Sequence, residues 1–189
     1  MVKTLTVSIG KMDFSYEHSS VKIIANRNCP EISLAGLDVG PFEEGNEYEI
    51  QFWIAKELEK AGIARFREEQ RLDAAAVYKI QWTERVQTSG QISKLPENFY
   101  PRLRRYLKEL RMEATKNPEK MREHEKITGS IQDVINARLK KLVSIASVQT
   151  QTEQVLKNFT GEERLLYERL HRLIHEWRTQ ILEYEEVEE

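Results

Sequence analysis

Between Pro118 and Ala146 apolar residues return every three or four positions, at Ile127, Ile131, Val134, Ile135, Leu139, Leu142, Val143 and Ala146. That spacing predicts one helix of about thirty residues, roughly 45 Å long at 1.5 Å per residue. A domain built from a chain of 189 residues cannot cover such a helix on all sides. Part of the stripe is therefore expected to meet a helix of another chain. Gly129 and Ser130 weaken the helix locally and allow a bend.

Helical sequence flanks this segment. A helix is expected from about Glu68 to Gln87, presenting Leu72, Ala76, Tyr78 or Lys79, and Trp82, and broken by Thr88-Ser89-Gly90-Gln91. The next is expected to start near Pro96, since proline suits a first turn, with Phe99, Leu103, Tyr106, Leu107 and Leu110 as its stripe. The last opens at Thr160-Gly161-Glu162-Glu163, a capping box in which Thr160 and Glu163 bond reciprocally. Its stripe is Leu166, Leu170, Leu173, Ile174, Trp177, Ile181 and Tyr184.

The first 62 residues read differently. They hold five of the eight glycines, two of the five prolines and most of the short β-like runs, which predicts strands joined by tight turns. Gly40-Pro41 and Gly45-Asn46 mark two turns, and Met1 to Gly10 alternates as a strand does. A short helix is expected near 51–61 from Phe52, Ala55, Leu58 and Ala61, with Trp53 and Ile54 on its edge and Gly62 ending it. Ile63 to Phe66 is a further strand. The predicted class is α+β, predominantly α: a small β-rich domain over 1–66, a larger helical-bundle domain over 67–184, and an acidic tail over 185–189. Trp53, Phe42 and Pro41 are expected to hold the small domain together.

A formal charge of -2 conceals an asymmetry. Residues 1–70 carry 8 basic and 12 acidic side chains, residues 71–182 carry 21 and 14, and the last seven residues carry five glutamates. A basic middle steers polyanions or acidic protein surfaces, although its cations are interleaved with Glu97, Glu109, Glu113, Glu119, Glu123 and Glu125. Arg102, Arg104, Arg105, Lys108 and Arg111 are candidate phosphate contacts, with Tyr100 and Tyr106 nearby for base stacking. Burial on the apolar stripe opposes stacking by Tyr106.

The chain offers little for catalysis. His171 and His175 share a helix face at a spacing that can ligate zinc, but Arg172 stands where a metalloprotease helix carries glutamate, and no third ligand has a specific claim. Gly36, Gly40 and Gly45 match no phosphate-binding loop. Carboxylates interleaved with Lys and Arg on helical faces read as surface. Cys29, alone, reads as a small apolar turn residue. The expectation is no enzyme, no cofactor and no metal. With no apolar run long enough to span a bilayer and no signal-peptide pattern, no membrane role is expected and an intracellular location is.

Three stretches resemble the small domain of GINS subunits: Val21 to Asn26; Ile32 to Phe42 with Leu37-x-x-Gly40-Pro41-Phe42; and Tyr48 to Leu58 with Trp53-Ile54-Ala55. The second half is similar to the GINS helical domain, through Leu95-Pro96-Glu97-Asn98-Phe99-Tyr100, Ile135-x-x-Arg138-x-x-Lys141-Leu142 and Phe159-Thr160-x-Glu162-Glu163-x-x-Leu166-Tyr167. Residues 1–20 and the tail lie outside the matched stretches. Domain order selects the class with the small domain first, in a chain that looks like an archaeal member.

The resemblance implies a non-enzymatic replication scaffold that associates with and activates the MCM helicase at the fork. It also implies a heterotetramer, two copies each of this class and of a second GINS subunit class of opposite domain order. A RecJ-like protein and primase or DNA polymerase are further implied partners, with weak non-specific DNA affinity at most and a cytoplasmic, nucleoid-associated location. Interface candidates are Phe99, Leu103, Tyr106, Ile131, Ile135, Leu142, Leu166, Leu170 and Trp177. The alternative is a stand-alone nucleic-acid-binding protein using the basic helices.

Overall fold

A computed structural model describes residues 2–34, 36–67, 72–87, 91–115, 117–148 and 153–182, the side chains of 2–8 and of Leu34 excepted. The architecture is α+β and predominantly α, and the chain divides into two compact units, Met1–Leu72 and Asp73–Glu189.

The first unit opens with a helix, α1 (Val2–Glu17), where the alternating sequence predicted a strand. Intrinsic β preference is weak and yields to packing: the Tyr16 ring stacks 4.6 Å from Phe52 and ties the end of α1 to the core. Strand β1 (Ser20–Ala25) is the centre of an antiparallel sheet of order β4–β1–β5, with β4 at Glu47–Gln51 and β5 at Ala64–Phe66. Ile23 lies opposite both Tyr48 and Phe66. Because successive side chains of a strand face opposite ways, Val21, Ile23 and Ala25 enter the core while Lys22 stays exposed.

Helix α2 (Phe52–Lys60) closes over that core with Phe52, Ile54, Ala55 and Leu58. Gly62, at φ 68°, ends it: Ile63 N–H donates to Leu58 O and Gly62 N–H to Glu59 O, the paired bonds that satisfy a helix's last carbonyls. A hairpin of β2 (Ile32–Leu34) and β3 (Leu37–Val39) completes the unit. Phe42 is buried and meets Tyr48 edge-on at 4.9 Å, whereas Pro41 is exposed and Trp53 only half-buried. Of the three residues expected to hold this domain together, Phe42 contributes most.

The second unit is built on α5 (Pro118–Ala146), the long helix its stripe predicts, uninterrupted through Gly129 and Ser130. Helices α3 (Ala74–Val86), α4 (Phe99–Ala114) and α7 (Gly161–Leu182) each pack on it, and α6 (Glu153–Leu156) is a single turn. Two starts differ from expectation. Asp73 caps α3 by accepting from Ala76 N–H at 2.7 Å, so the helix opens six residues later than Glu68. Asn98 adopts a left-handed φ of 53°, so α4 begins at Phe99 and Pro96 precedes it. Residues 68–71, the 88–90 break and Tyr184 lie outside the described residues.

Candidate functional site

Four charged side chains sit inside the helical unit. Arg138 of α5, 1% exposed, donates through Nε and Nη2 to Glu163 at the start of α7, the Nη2 to Oε2 distance being 2.8 Å, and through Nη1 to Glu84 of α3 at 2.5 Å. Lys141, one turn along α5, donates to Glu84 Oε2 at 2.7 Å and to the Glu84 carbonyl at 3.1 Å. Ser93 donates to Glu84, and Tyr100 Oη to Glu163 at 2.9 Å. Glu163 also closes the predicted capping box: Thr160 N–H donates to it at 3.0 Å and its own N–H donates to Thr160 Oγ1 at 3.2 Å. One residue therefore starts α7 and locks it to α5.

Two carboxylates face two cations here, which lets the cluster be buried at all. Burial alone would raise Glu84, but hydrogen bonds from Lys141 and Ser93 and the charges of Arg138 and Lys141 hold it below the ordinary glutamate value. Burial disfavours charge on Arg138, and Glu163 together with Glu84 and Tyr100 outweighs that and holds the guanidinium more firmly protonated. Burial, then the Glu163 charge, pushes the Tyr100 phenol up.

This cluster corrects the reading of the carboxylates as surface: Glu84 and Glu163 are both 2% exposed. It also rotates α3. Val77 and Glu84 face inward while Tyr78 and Trp82 face out, Trp82 at 70% exposure, because Glu84 must reach Arg138 and Lys141. The legible signal was on α5, where Arg138 and Lys141 fall among Ile131, Val134, Leu142 and Ile145 on the buried stripe.

The interface candidates separate. Phe99, Leu103, Ile131 and Leu142 are spent in the chain's own core, a correction to their expected role at a partner surface: α4 and α5 pack on each other, and Leu142 lies in the cluster with Ile92 and Tyr167 of α7. Tyr106, Leu166 and Leu170 are half-buried, the last two against Tyr167, Ile145 and Ala146. Ile135 and Trp177 remain exposed.

Three open apolar ladders emerge. One is Tyr78, Trp82 and Val86 of α3, 44%, 70% and 65% exposed. A second runs along a flank of α5 through Ile135, Leu139 and Val143, each about two-fifths exposed. The third is the end of α7. Glu163 lies beside Arg138, and Tyr167 to Ile174 lie beside Leu142 to Ala146, so α7 runs parallel to α5. At 3.6 residues per turn, Trp177 and Ile181 share the face of α7 that Glu163, Tyr167 and Ile174 use against α5. Helix α5 stops at Ala146, so that face continues with nothing of α5 left to meet it; Trp177 is 60% and Ile181 59% exposed.

Among the candidate phosphate contacts, Arg104 lies 3.3 Å from Glu162 and Arg105 2.7 Å from Glu109, while Lys108 and Arg111 are exposed. Tyr100 is occupied by Glu163 and Tyr106 is half-buried. His171 stacks near Tyr167 at 5.7 Å, and among the described residues no group of three His, Cys, Asp or Glu is placed to hold a metal. No described helix is long and apolar enough to cross a membrane.

The family model of the GINS complex protein helical bundle domain matches residues 71–182, most of the chain. The chain belongs to the GINS complex protein family. A second model, the PSF2 N-terminal domain, matches residues 8–66, so the small domain precedes the helical one as the motifs implied. That match begins inside α1, which the quoted motifs had left out. The human DNA replication complex GINS protein PSF2 is 28% identical over 144 residues, covering 76% of this chain and 74% of its own length. Arg138, Glu84 and Glu163 thus all lie within the GINS helical-bundle match.

Proposed function

We propose that this GINS-family chain is a scaffold subunit in DNA replication, one that docks through helical surfaces and performs no chemistry itself. The observation that carries the proposal is the face of α7 that continues past the end of α5, with Trp177 and Ile181 open and in line with the residues packed beneath it. An exposed contiguous apolar surface of this kind marks an interaction site. With the α5 flank at Ile135, Leu139 and Val143 it offers two ridges for helices of other subunits.

The resemblance extends this reading to a 2:2 assembly with a GINS subunit of opposite domain order and to association with the MCM helicase and a RecJ-like protein, with primase or polymerase as further contacts, in the cytoplasm at the nucleoid. Such a complex activates a helicase by binding one of its arrangements more tightly than another, since a ligand shifts an equilibrium only by its differential affinity. The alternative, stand-alone nucleic-acid binding, loses support from the carboxylates that already hold Arg104 and Arg105.

The test is the mass, by light scattering, of this chain alone and coexpressed with a subunit of opposite domain order from the same genome. A stable species near four chains is expected. A well-behaved monomer that ignores that subunit overturns the proposal. DNA binding tighter than micromolar at physiological salt, falling steeply as salt rises, favours the alternative.

A further inference from the structure

Where α5 ends beside the middle of α7, a half-open cleft of ≈ 230 Å³ is lined by Ala146, Val148, His171, Ile174, His175 and Arg178. One wall is aliphatic and the other carries a guanidinium and two imidazoles, with no carboxylate among the described lining residues. The cleft borders the assembly ridge, and Ile174 belongs to both. At about 100° per residue, Arg178 and the two histidines project on one side of Ile174, by roughly 40–100°, and Ile181 and Trp177 on the other, by roughly 20° and 60°.

The cleft is smaller than the roughly 300–1,000 Å³ of sites that enclose a cofactor or metabolite. Its aliphatic half gives no polar partner to a sugar-phosphate chain. Among the described residues no hydrogen bond or ion pair occupies Arg178, whose planar fork matches a carboxylate through two parallel bonds. An unpaired guanidinium beside an aliphatic wall fits a peptide in which an acidic residue adjoins an aliphatic one.

We propose that this cleft docks an acidic segment of a partner protein, its aliphatic side chain against Ala146, Val148 and Ile174 and its carboxylate on Arg178, with His171 and His175 as flanking donors. The inference goes beyond assembly into a GINS complex, because it assigns a peptide-recognition role to the basic side of α7, next to the assembly ridge. Charge complementarity selects the occupant: a basic segment would meet Arg178 with like charge, and a purely apolar one would leave Arg178 desolvated and unpaired.

The test is a displayed random-peptide library selected on the full chain and counter-selected on Arg178→Glu. Affinities of synthesised winners are then measured by fluorescence anisotropy against the unsubstituted chain, Arg178→Glu, Val148→Asp and Trp177→Asp, each first checked for an unchanged melting temperature. Winners with Asp or Glu beside Leu, Ile or Val are expected, weakened at least tenfold by Arg178→Glu and by Val148→Asp and unaffected by Trp177→Asp.

Winners without a carboxylate, peptides that do not distinguish the Arg178 variant, or loss confined to Trp177→Asp overturn the proposal, as does displacement by a single-stranded oligonucleotide. Co-assembly of Arg178→Glu with the opposite subunit class, measured by mass, separates this outcome from failure of the scaffold reading. A selection that returns no binder overturns the peptide proposal and leaves assembly intact, and a chain that does not assemble leaves peptide binding measurable.

Discussion

Replacing Arg138 by methionine keeps an unbranched apolar stem and removes the guanidinium from a site that is 1% exposed. Glu163 then loses two donors and Glu84 one, leaving one ammonium, Lys141, to face two buried carboxylates. Removing one partner of a buried ion pair costs about 3–5 kcal/mol, a large share of the roughly 5–15 kcal/mol that holds a domain folded. For a unit of this size 1 kcal/mol moves the melting temperature by about 4 °C, so a drop of roughly 12–20 °C is expected.

The assay is thermal unfolding of the full chain by circular dichroism, repeated from pH 7 to pH 4.5. In the variant Glu84 loses one of the two cations that hold it below its ordinary value, so it contributes less stability at neutral pH and has less to lose as pH falls. The gap between the two proteins should therefore narrow toward acid. A second change, Glu163→Gln, made in the Arg138→Met background should cost less than it does alone, because the two residues act as a unit. A loss below about 1 kcal/mol, or a gap independent of pH, would show that the cluster is hydrated and would refute the reasoning.

Further outcomes follow from the same geometry. Glu84 is held below its ordinary value, so the stability it contributes is present above the unfolded pKa and lost as pH falls through the folded one; melting between pH 5 and pH 3 should be less pH-dependent in Glu84→Gln than in the unsubstituted chain. Thr160→Ala removes the acceptor for Glu163 N–H and should cost about 1 kcal/mol in chemical denaturation, while an unchanged midpoint would deny the cap its role. Trp177→Asp should leave the melting temperature of the isolated chain within about 0.5 kcal/mol of its starting stability, as surface changes do, yet abolish co-assembly in light scattering. If it assembles normally, α7 is not the docking face.

Periodicity carried much of the architecture. The long α5 follows from its stripe, α7 from its capping box, and α2 with its closing glycine from the Phe52 to Gly62 pattern. What was hidden has physical causes. Alternation in Met1 to Gly10 misled because the deciding contact, Tyr16 on Phe52, lies outside the segment and far along the chain. Trp82 looked inward by size, whereas the rotation of α3 was set by a glutamate whose cations lie more than fifty residues away. A buried glutamate is indistinguishable in sequence from a solvated one until its partners are placed. Arg138 and Lys141, intruding on an apolar stripe, were the available clue.

Phe99 and Leu103 were legible as apolar stripe residues, but a stripe does not state whether its partner is in the same chain. For α7 that depends on where α5 ends. The two helices run parallel, and the shared face passes beyond Ala146, which makes Trp177 a surface residue although it matches Tyr167 and Ile174 in phase.

The most direct measurement is hydrogen–deuterium exchange of this chain alone and in complex with a GINS subunit of opposite domain order, read peptide by peptide. Slowed exchange over residues 173–182 on assembly, with the Ile135 to Val143 flank following, is the expected result. Protection confined to the first unit or to α4, with 173–182 exchanging as in the free chain, would contradict the assignment of α7 as the assembly face.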